Sequence, residues 1–419
     1  MRAAGLFLFP ALGLILAWGC TPQAQDRPPP GGERAARPAP ALRNGPKVVL
    51  VIHGGAGVLT EPEMKKEKLE NGEPLKREHY EDALARALKA GYEALRQNKE
   101  TAHVDAVEAA IRVMEDSELF NAGHGAALNH DGRAELDAAI MEGKMGEWTQ
   151  GDPETEGKKD PRKRAGAVAA VWHIKNPISA ARAVMEMPDQ RHALLVGEGA
   201  ESFVFSEETM KRYPGKLKRV SNAYFWTDRR LRDIRREIEG DEKKGRKGSS
   251  RLQGEGGRRN RYLGTVGAVA RKGNKLAAGT STGGLTHKLP GRVGDTPVLG
   301  AGTYADDRAC GVSCTGTGEV FIRHAVAHDV VARMWYGKAD VGQAAREAIE
   351  QLPDEKGGVG GLIALDKDGI AAFAMSKESE GMYRGYVTEE GDIYVAIYRE
   401  EPRLVERVGK GGKDGRGEK

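Results

Sequence analysis

A junction near the middle of the chain constrains the fold more than any other feature. Residues 240 to 261 are Lys, Arg, Gly and Ser with hardly an apolar side chain, a composition that cannot offset its own ordering entropy, so a flexible surface segment is expected there. It passes almost at once into Thr265-Val266-Gly267-Ala268-Val269-Ala270, a run that reads as a core strand. Lys272-Gly273-Asn274 then turns the chain into Leu276-Ala277-Ala278-Gly279-Thr280, so two strands flank a glycine turn. A core strand directly after a solvated linker is natural if the chain is cut between them, which leaves Thr265 as both chain terminus and strand start. No other junction in the sequence has this property.

Upstream, Val48 to Ile52 is a continuous apolar run ended by His53-Gly54-Gly55-Ala56-Gly57, which predicts a buried strand entering a glycine turn. Residues 79 to 97 place Leu84, Leu88, Gly91 and Leu95 on one stripe, and Val104, Val107, Ile111 and Met114 repeat at helical spacing; both stripes predict core-facing helices. Asn176-Pro177 ahead of Ile178, Ala181 and Met185 predicts an N-cap and a proline at the first position of a third helix. The 56 glycines against 6% aromatic residues imply many turns and close backbone approaches. A chain of 419 residues has room for one large domain or two modest ones.

Met1-Arg2 and the almost wholly apolar Leu6 to Leu16 before Ala17-Trp18-Gly19-Cys20 follow the three-part plan of a secretory signal over residues 1–19. Ala17-x-Gly19 fits a small-x-small cleavage site, and the cysteine after it resembles a bacterial lipobox, with Leu16 one place early and Trp18 bulky. Cys20 is thus a candidate for lipidation, with plain secretion and an uncleaved anchor as the alternatives. Residues 20–46, rich in Pro, Ala, Gly and Arg, read as a solvated tether. The expected location is periplasmic or extracellular, with a membrane touched only through such an anchor. A net charge of +4 gives no case for nucleic acid, and the basic segment lacks interleaved aromatic residues on which bases would stack.

Three other patterns weaken on inspection. In extended chain Cys310 and Cys314 stand roughly 13 Å apart, beyond the roughly 7 Å that a disulfide spans, so buried thiols are expected. Gly279-Thr280-Ser281-Thr282-Gly283 fits the nucleophile elbow of α/β-hydrolases, but Gly284 to Gly291 is loop-forming where that motif needs a helix. His324 and His328 lie four apart on a predicted helix and could meet one metal, yet no third ligand stands out.

Gly264-Thr265-Val266-Gly267-Ala268-Val269, Thr280-Ser281-Thr282-Gly283-Gly284 and Gly291-Arg292-Val293-Gly294-Asp295 strongly resemble the isoaspartyl peptidase/plant-type asparaginase family of N-terminal nucleophile hydrolases. His53 to Gly57, Leu119-Phe120-Asn121-Ala122-Gly123, Gly300 to Ala305, Thr315-Gly316-Thr317-Gly318-Glu319 and Gly360 to Ile363 recur in the same order. The likeness covers nearly all of residues 47 to 400 apart from the basic linker. It implies an α+β fold, the four-layer αββα sandwich of the N-terminal nucleophile hydrolases, with two facing antiparallel sheets covered by helices. It further implies self-cleavage into an N-terminal (α) subunit, 47–264, and a C-terminal (β) subunit, 265–419, assembled as a dimer of αβ heterodimers. The implied substrates are L-asparagine and β-aspartyl dipeptides, with L-aspartate released.

A threonine hydroxyl is a poor nucleophile until a base takes its proton, and a free α-amine, with a pKa of about 8, is such a base. Inside an uncut chain that nitrogen is an amide, so the precursor is expected to be inactive. Gly264 can take a strained conformation that brings the Thr265 hydroxyl against the preceding carbonyl. By resemblance, Thr282 orients Thr265, while the Thr315 hydroxyl and the Gly316 N–H form the oxyanion hole. Arg292 would pair with the substrate α-carboxylate and Asp295 with its α-ammonium, an exposed Arg-Asp ion pair being the plain alternative. Gly318 would line the same pocket. The resemblance also implies a structural sodium held by the main-chain carbonyls of Met114, Glu115, Ser117, Phe120, Ala122 and His124, and no cofactor for the chemistry. Two rivals remain. Glycosylasparaginases share the nucleophile but typically carry Asp where this chain has Gly264, and a non-catalytic surface binding module would not need Thr265, Thr282, Arg292, Asp295 and Thr315 together.

Overall fold

In the computed structural model, which describes residues 46–144, 164–187, 192–242, 264–353 and 360–408, the first apolar run forms strand β1 (Val48–Gly55). Every residue of β1 is buried because both faces are covered, so its sequence is apolar as far as Ile52 and does not alternate. There follow α1 (Glu61–Met64), α2 (Arg77–Leu95), α3 (Ala102–Glu115), β2 (Leu136–Glu142), β3 (Ala165–Val171), α4 (Pro177–Met185), β4 (Leu194–Val196), α5 (Gly197–Val204), α6 (Glu207–Arg212) and α7 (Asp228–Glu242). Past the junction come β5 (Val266–Lys272), β6 (Lys275–Thr282), β7 (Thr303–Ala305), β8 (Cys310–Gly316), α8 (Gly318–His324), α9 (Val326–Trp335) and α10 (Val341–Glu350). Strands β9 (Gly360–Asp366), β10 (Ala371–Met375), β11 (Gly381–Thr388), β12 (Asp392–Tyr398) and β13 (Arg403–Arg407) close the fold.

Among the described residues the strands form a nine-stranded sheet, β13-β12-β11-β1-β5-β6-β2-β3-β4, and a four-stranded sheet, β10-β9-β8-β7. Neighbours are antiparallel except β3 and β4, a parallel pair at one edge. The larger sheet interleaves the two halves of the chain: β1 lies between β11 and β5, and β6 pairs with β2. Three apolar layers hold the stack. Helices α2, α3 and α4 set Leu84, Leu88, Val107, Ile111 and Ile178 on the outer face of the large sheet. On the small sheet, α9 and α10 set Val330, Val331, Ala344 and Ala348. Val51, Val269, Ala278, Ile363 and Leu365 fill the space between the sheets. The result is the α+β, four-layer αββα sandwich expected from the sequence. Its glycines permit close approach: a Cβ at Gly279 would come within 2.6 Å of Val107 Cγ1.

Cys310 and Cys314 are buried free thiols. Asn176 and Pro177 do open α4, but the capping bond comes from elsewhere: Glu115 Oε1 accepts the Ile178 N–H at 3.0 Å, while Asn176 Nδ2 donates to Asp116 at 3.0 Å. Residues 240–242 of the expected linker belong to α7, which runs to Glu242; residues 243–261 lie outside the described residues, as do residues 1–45 with the expected signal, Cys20 and all but the last residue of the tether. His324 and His328 do not share one helix. Ala325 takes a left-handed φ of 47° and divides α8 from α9. Among the described residues no group of three His, Cys, Asp or Glu side chains is placed to hold a metal, and no helix is long and apolar enough to cross a membrane.

Candidate active site

Thr265 stands one residue ahead of β5, a central strand of the large sheet. Two residues on, a Cβ at Gly267 would lie 1.9 Å from Ser313 Oγ and 2.4 Å from His53 Nε2, so only glycine fits between the sheets there. A Cβ at Gly311 would lie 2.5 Å from Val269 Cγ1. Strands β5 and β8 therefore face each other with 267 opposite 313 and 269 opposite 311, and the two-residue period of a strand carries that register on to Thr265 opposite Thr315.

The buried Thr265 hydroxyl donates to Thr282 Oγ1 at 3.1 Å. Thr282 ends β6; its Oγ1 accepts the Gly284 N–H at 3.0 Å and lies 3.5 Å from the Gly264 carbonyl oxygen. Across the gap, Thr315 and Gly316 end β8. The Thr315 hydroxyl is buried with no hydrogen-bond partner among the described residues. An unmet buried donor costs about 1–3 kcal/mol, a cost that a substrate oxygen would relieve. Ser281 points the other way, as strand alternation requires, and donates to Glu115 Oε1 at 2.6 Å. Ser281 is fully buried and no helix follows it, so it lacks the setting of a nucleophile elbow.

Asn121 received no role from the sequence, although it lies in one of the quoted motifs. Its Nδ2 donates to the Gly284 carbonyl at 2.7 Å, its Oδ1 accepts the Ala127 N–H at 2.7 Å, and its carbonyl accepts the Gly283 N–H at 3.1 Å. It pins the turn that follows Thr282. A Cβ at Gly264 would sit 3.1 Å from Asn121 Cβ, so glycine ahead of the nucleophile also meets a limit of space.

The structure brings Arg292, Asp295 and Gly318 together. A Cβ at Gly318 would lie 2.9 Å from both Arg292 Nη2 and Asp295 Oδ1, so any larger residue would fill the space between the two charges. Arg292 is not paired with Asp295. Its guanidinium makes a bidentate pair with Glu319, Nε to Oε1 at 2.9 Å and Nη2 to Oε2 at 2.8 Å. Asp295 is buried, its Oδ2 has no hydrogen-bond partner among the described residues, and burial pushes its pKa up to about 7. The loop carrying Arg292 is tied down by Lys288, a buried lysine whose Nζ donates to the Glu135 carbonyl at 2.7 Å.

Behind the threonines runs a string of hydroxyls. Thr303 Oγ1 donates to Thr280 Oγ1 at 2.6 Å, Thr280 Oγ1 and Ser313 Oγ are 2.7 Å apart, and Ser313 Oγ is 2.8 Å from His53 Nε2. Burial lowers the His53 pKa to about 3, which leaves the ring neutral and too weak a base to take a threonine proton at working pH.

Met114 and Glu115 end α3, and Ser117, Phe120, Ala122 and His124 follow in its loop. A Cβ at Gly123 would lie 2.2 Å from the Glu115 carbonyl oxygen, and one at Gly125 2.2 Å from that of Phe120. Glycine thus keeps side chains away from two of the hard oxygens expected to meet a cation. The His124 ring is engaged outside this set, with Nδ1 2.7 Å from the Tyr224 carbonyl and Nε2 2.9 Å from Glu70.

A four-layer αββα sandwich with a threonine hydroxyl at the head of a central strand is the architecture of the N-terminal nucleophile hydrolases. The family model described as asparaginase matches residues 46–150 and 155–397, and the chain belongs to that family. Its relatives include the isoaspartyl peptidase of Salmonella typhimurium, 40% identical over 356 residues, covering 84% of this chain and 99% of that one. The isoaspartyl peptidase of Escherichia coli is 39% identical over 368 residues, covering 86% and 98%. The plant-type L-asparaginase of Pyrococcus abyssi is 38% identical over 344 residues, covering 82% and 97%.

Proposed function

We propose that the chain cuts itself between Gly264 and Thr265, and that Thr265 then hydrolyses the side-chain amide of L-asparagine and the β-aspartyl bond of isoaspartyl dipeptides. The observation that carries this reading is the Thr265 hydroxyl 3.1 Å from that of Thr282, beside the Gly264 carbonyl. The names of the relatives support the substrates. In self-cleavage the Thr265 oxygen attacks the Gly264 carbonyl carbon, the peptide C–N bond breaks and its nitrogen takes up the hydroxyl proton to become the free Thr265 α-amine, and water then hydrolyses the resulting ester to a Gly264 carboxylate and the restored Thr265 hydroxyl. In turnover that amine takes the hydroxyl proton and returns it to the departing nitrogen. The carbonyl oxygen, negative in the tetrahedral state, is met by the Thr315 hydroxyl and the Gly316 N–H. Water then releases aspartate from the ester on Thr265.

Recognition falls to opposite charges: Arg292 for the substrate α-carboxylate, shared with or taken from Glu319, and Asp295 for the α-ammonium. Gly318 leaves the room. The carbonyls of Met114, Glu115, Ser117, Phe120, Ala122 and His124 would hold a sodium ion that orders the loop and makes no bond to substrate. The reading includes assembly as a dimer of αβ heterodimers and export ahead of Cys20, supported by the apolar run and small-residue site before it. One experiment tests cleavage and export together: amino-terminal sequencing and intact mass of both fragments after expression in a bacterial host. A small fragment beginning at Thr265 and a larger one beginning at Cys20, with or without acyl mass, are expected. Thr265→Ala is expected to stay uncut, and a start at any other residue would remove the mechanism.

A further inference from the structure

Helix α7 is the last described element before the junction, and it opens on two buried cations. Arg229 is 9% exposed and Arg230 3%. A guanidinium removed from water needs nearly all of its N–H groups met, and its burial is weak evidence of a net gain in stability. What the group uniquely supplies is fixed geometry. Arg229 Nη2 donates to the carbonyls of Glu118 at 3.1 Å and Leu119 at 2.9 Å, and its Nη1 donates to Tyr80 Oη at 3.1 Å. Tyr80 is itself held, stacked on Tyr383 with ring centroids 4.2 Å apart. Arg230 Nε donates to the Gly125 carbonyl at 2.6 Å. The two arginines therefore grip one loop at both ends, residues 118–119 and 125, and Asn121 lies between the grips.

Asn121 is also where the two halves of the chain meet at the site. The loop and α7 both precede the junction, whereas Thr265 and Thr282 follow it. The described hydrogen bonds from the gripped loop to the threonines run from Asn121 to Gly283 and Gly284, next to Thr282, whose hydroxyl meets Thr265. We propose that Arg229 and Arg230 are positioning residues: by gripping the Asn121 loop they hold the Thr282–Gly284 turn, and through it the Thr265 hydroxyl, in the geometry used for both self-cleavage and turnover. The proposal rests on the threonine reading above. It adds that the reacting hydroxyl, on one side of the cut, is aligned by a helix on the other.

The test compares Arg229→Met, Arg230→Met, the corresponding lysine variants and Asn121→Ala, singly and combined. Three quantities are measured: the rate of self-cleavage of fresh precursor, kcat and KM of the matured fraction on a β-aspartyl dipeptide, and Tm. Displacements well under an ångström to about one ångström at a reacting group cost up to about a hundredfold in rate. Each methionine variant is therefore expected to slow cleavage and to lower kcat about tenfold or more, with KM, set by Arg292 and Asp295, within about twofold. Lysine, which reaches fewer carbonyls, is expected to restore part of the loss. In an Asn121→Ala background, Arg229→Lys is expected to cost less than about twofold further, because the path is already broken. The lysine variants keep the charge and serve the same cycle where methionine prevents folding. Matured variants that lose only Tm, or arginine and Asn121 effects that multiply independently, would overturn the proposal. Wild type that fails to split at Thr265, or Thr265→Ala that remains active, would overturn the threonine reading and the clamp with it.

Discussion

Asp295 is buried beside Arg292, which Glu319 has already engaged, and burial lifts its carboxyl to about 7. To hold a substrate ammonium it must be ionised, and the bound ammonium would itself lower the pKa. Because kcat/KM reports the free enzyme and kcat the bound complex, the acid limb of kcat/KM is expected to carry two ionisations, Asp295 and the Thr265 α-amine. The limb of kcat is expected to carry the amine alone. His53, held at about 3, lies outside both limbs. Initial-rate profiles from about pH 5 to 9 check this, and identical limbs would remove Asp295 from recognition. Stability carries the opposite sign from an ordinary salt-bridged carboxylate. The folded pKa of about 7 stands above the unfolded 3.8, so the folded state keeps a proton that the unfolded state gives up, and the group costs stability increasingly through that window. Asp295→Asn is expected to raise Tm at about pH 8 and to leave it unchanged below about pH 4. Thr265, Thr282, Arg292 and Asp295 were legible as motifs. Glu319 and Asn121 were printed in those motifs too, but their roles depend on where their hydrogen bonds land, which spacing along a chain does not encode.

Between elements, the tightest constraint is the facing of β5 and β8 at Gly267. Adding one methyl there forces the Ser313 and His53 side chains aside, and overpacking of this kind typically costs about 1–3 kcal/mol. Gly267→Ala is expected to lower Tm by several degrees in calorimetry and to slow self-cleavage, since Thr265 is two residues away. An unchanged Tm would mean that the two sheets can separate freely at that end. The sequence was clearest where one pattern ran unbroken: β1, the β5–β6 hairpin, α2 and α3 all appear within a few residues of their expected limits. It was least clear where packing overrode pattern. Helix α7 carries only Leu231, Ile234 and Ile238 toward the core amid charged neighbours, too thin a stripe to announce a helix. The break between α8 and α9 falls on Ala325, a residue that favours continuation, so nothing local marked it.

Over the whole molecule, the αββα class was legible only through the family likeness, because strand order is a long-range property that periodicity does not carry. That order has a measurable effect. With β1 inserted between β11 and β5, and β2 paired to β6, neither fragment has a complete large sheet of its own. The matured protein is expected to migrate as one species under native conditions and as two after denaturation. After dilution from urea, uncut Thr265→Ala is expected to refold with a yield independent of concentration, while matured protein refolds with a yield that rises with concentration, as for any two-body association. Equal, concentration-independent recovery would show that the halves do not depend on each other.

The same strand order also bears on the lifetime of the enzyme. While the chain is continuous, each unfolding is an excursion, because β1 and β5 remain joined and can find one another again. With the cut proposed above, the covalent record of who pairs with whom would be gone, although the pairing itself would persist. At low concentration, a cut molecule that opens would seldom close. Its service life would then be set by the rate of its first unfolding and no longer by the balance between folded and unfolded forms.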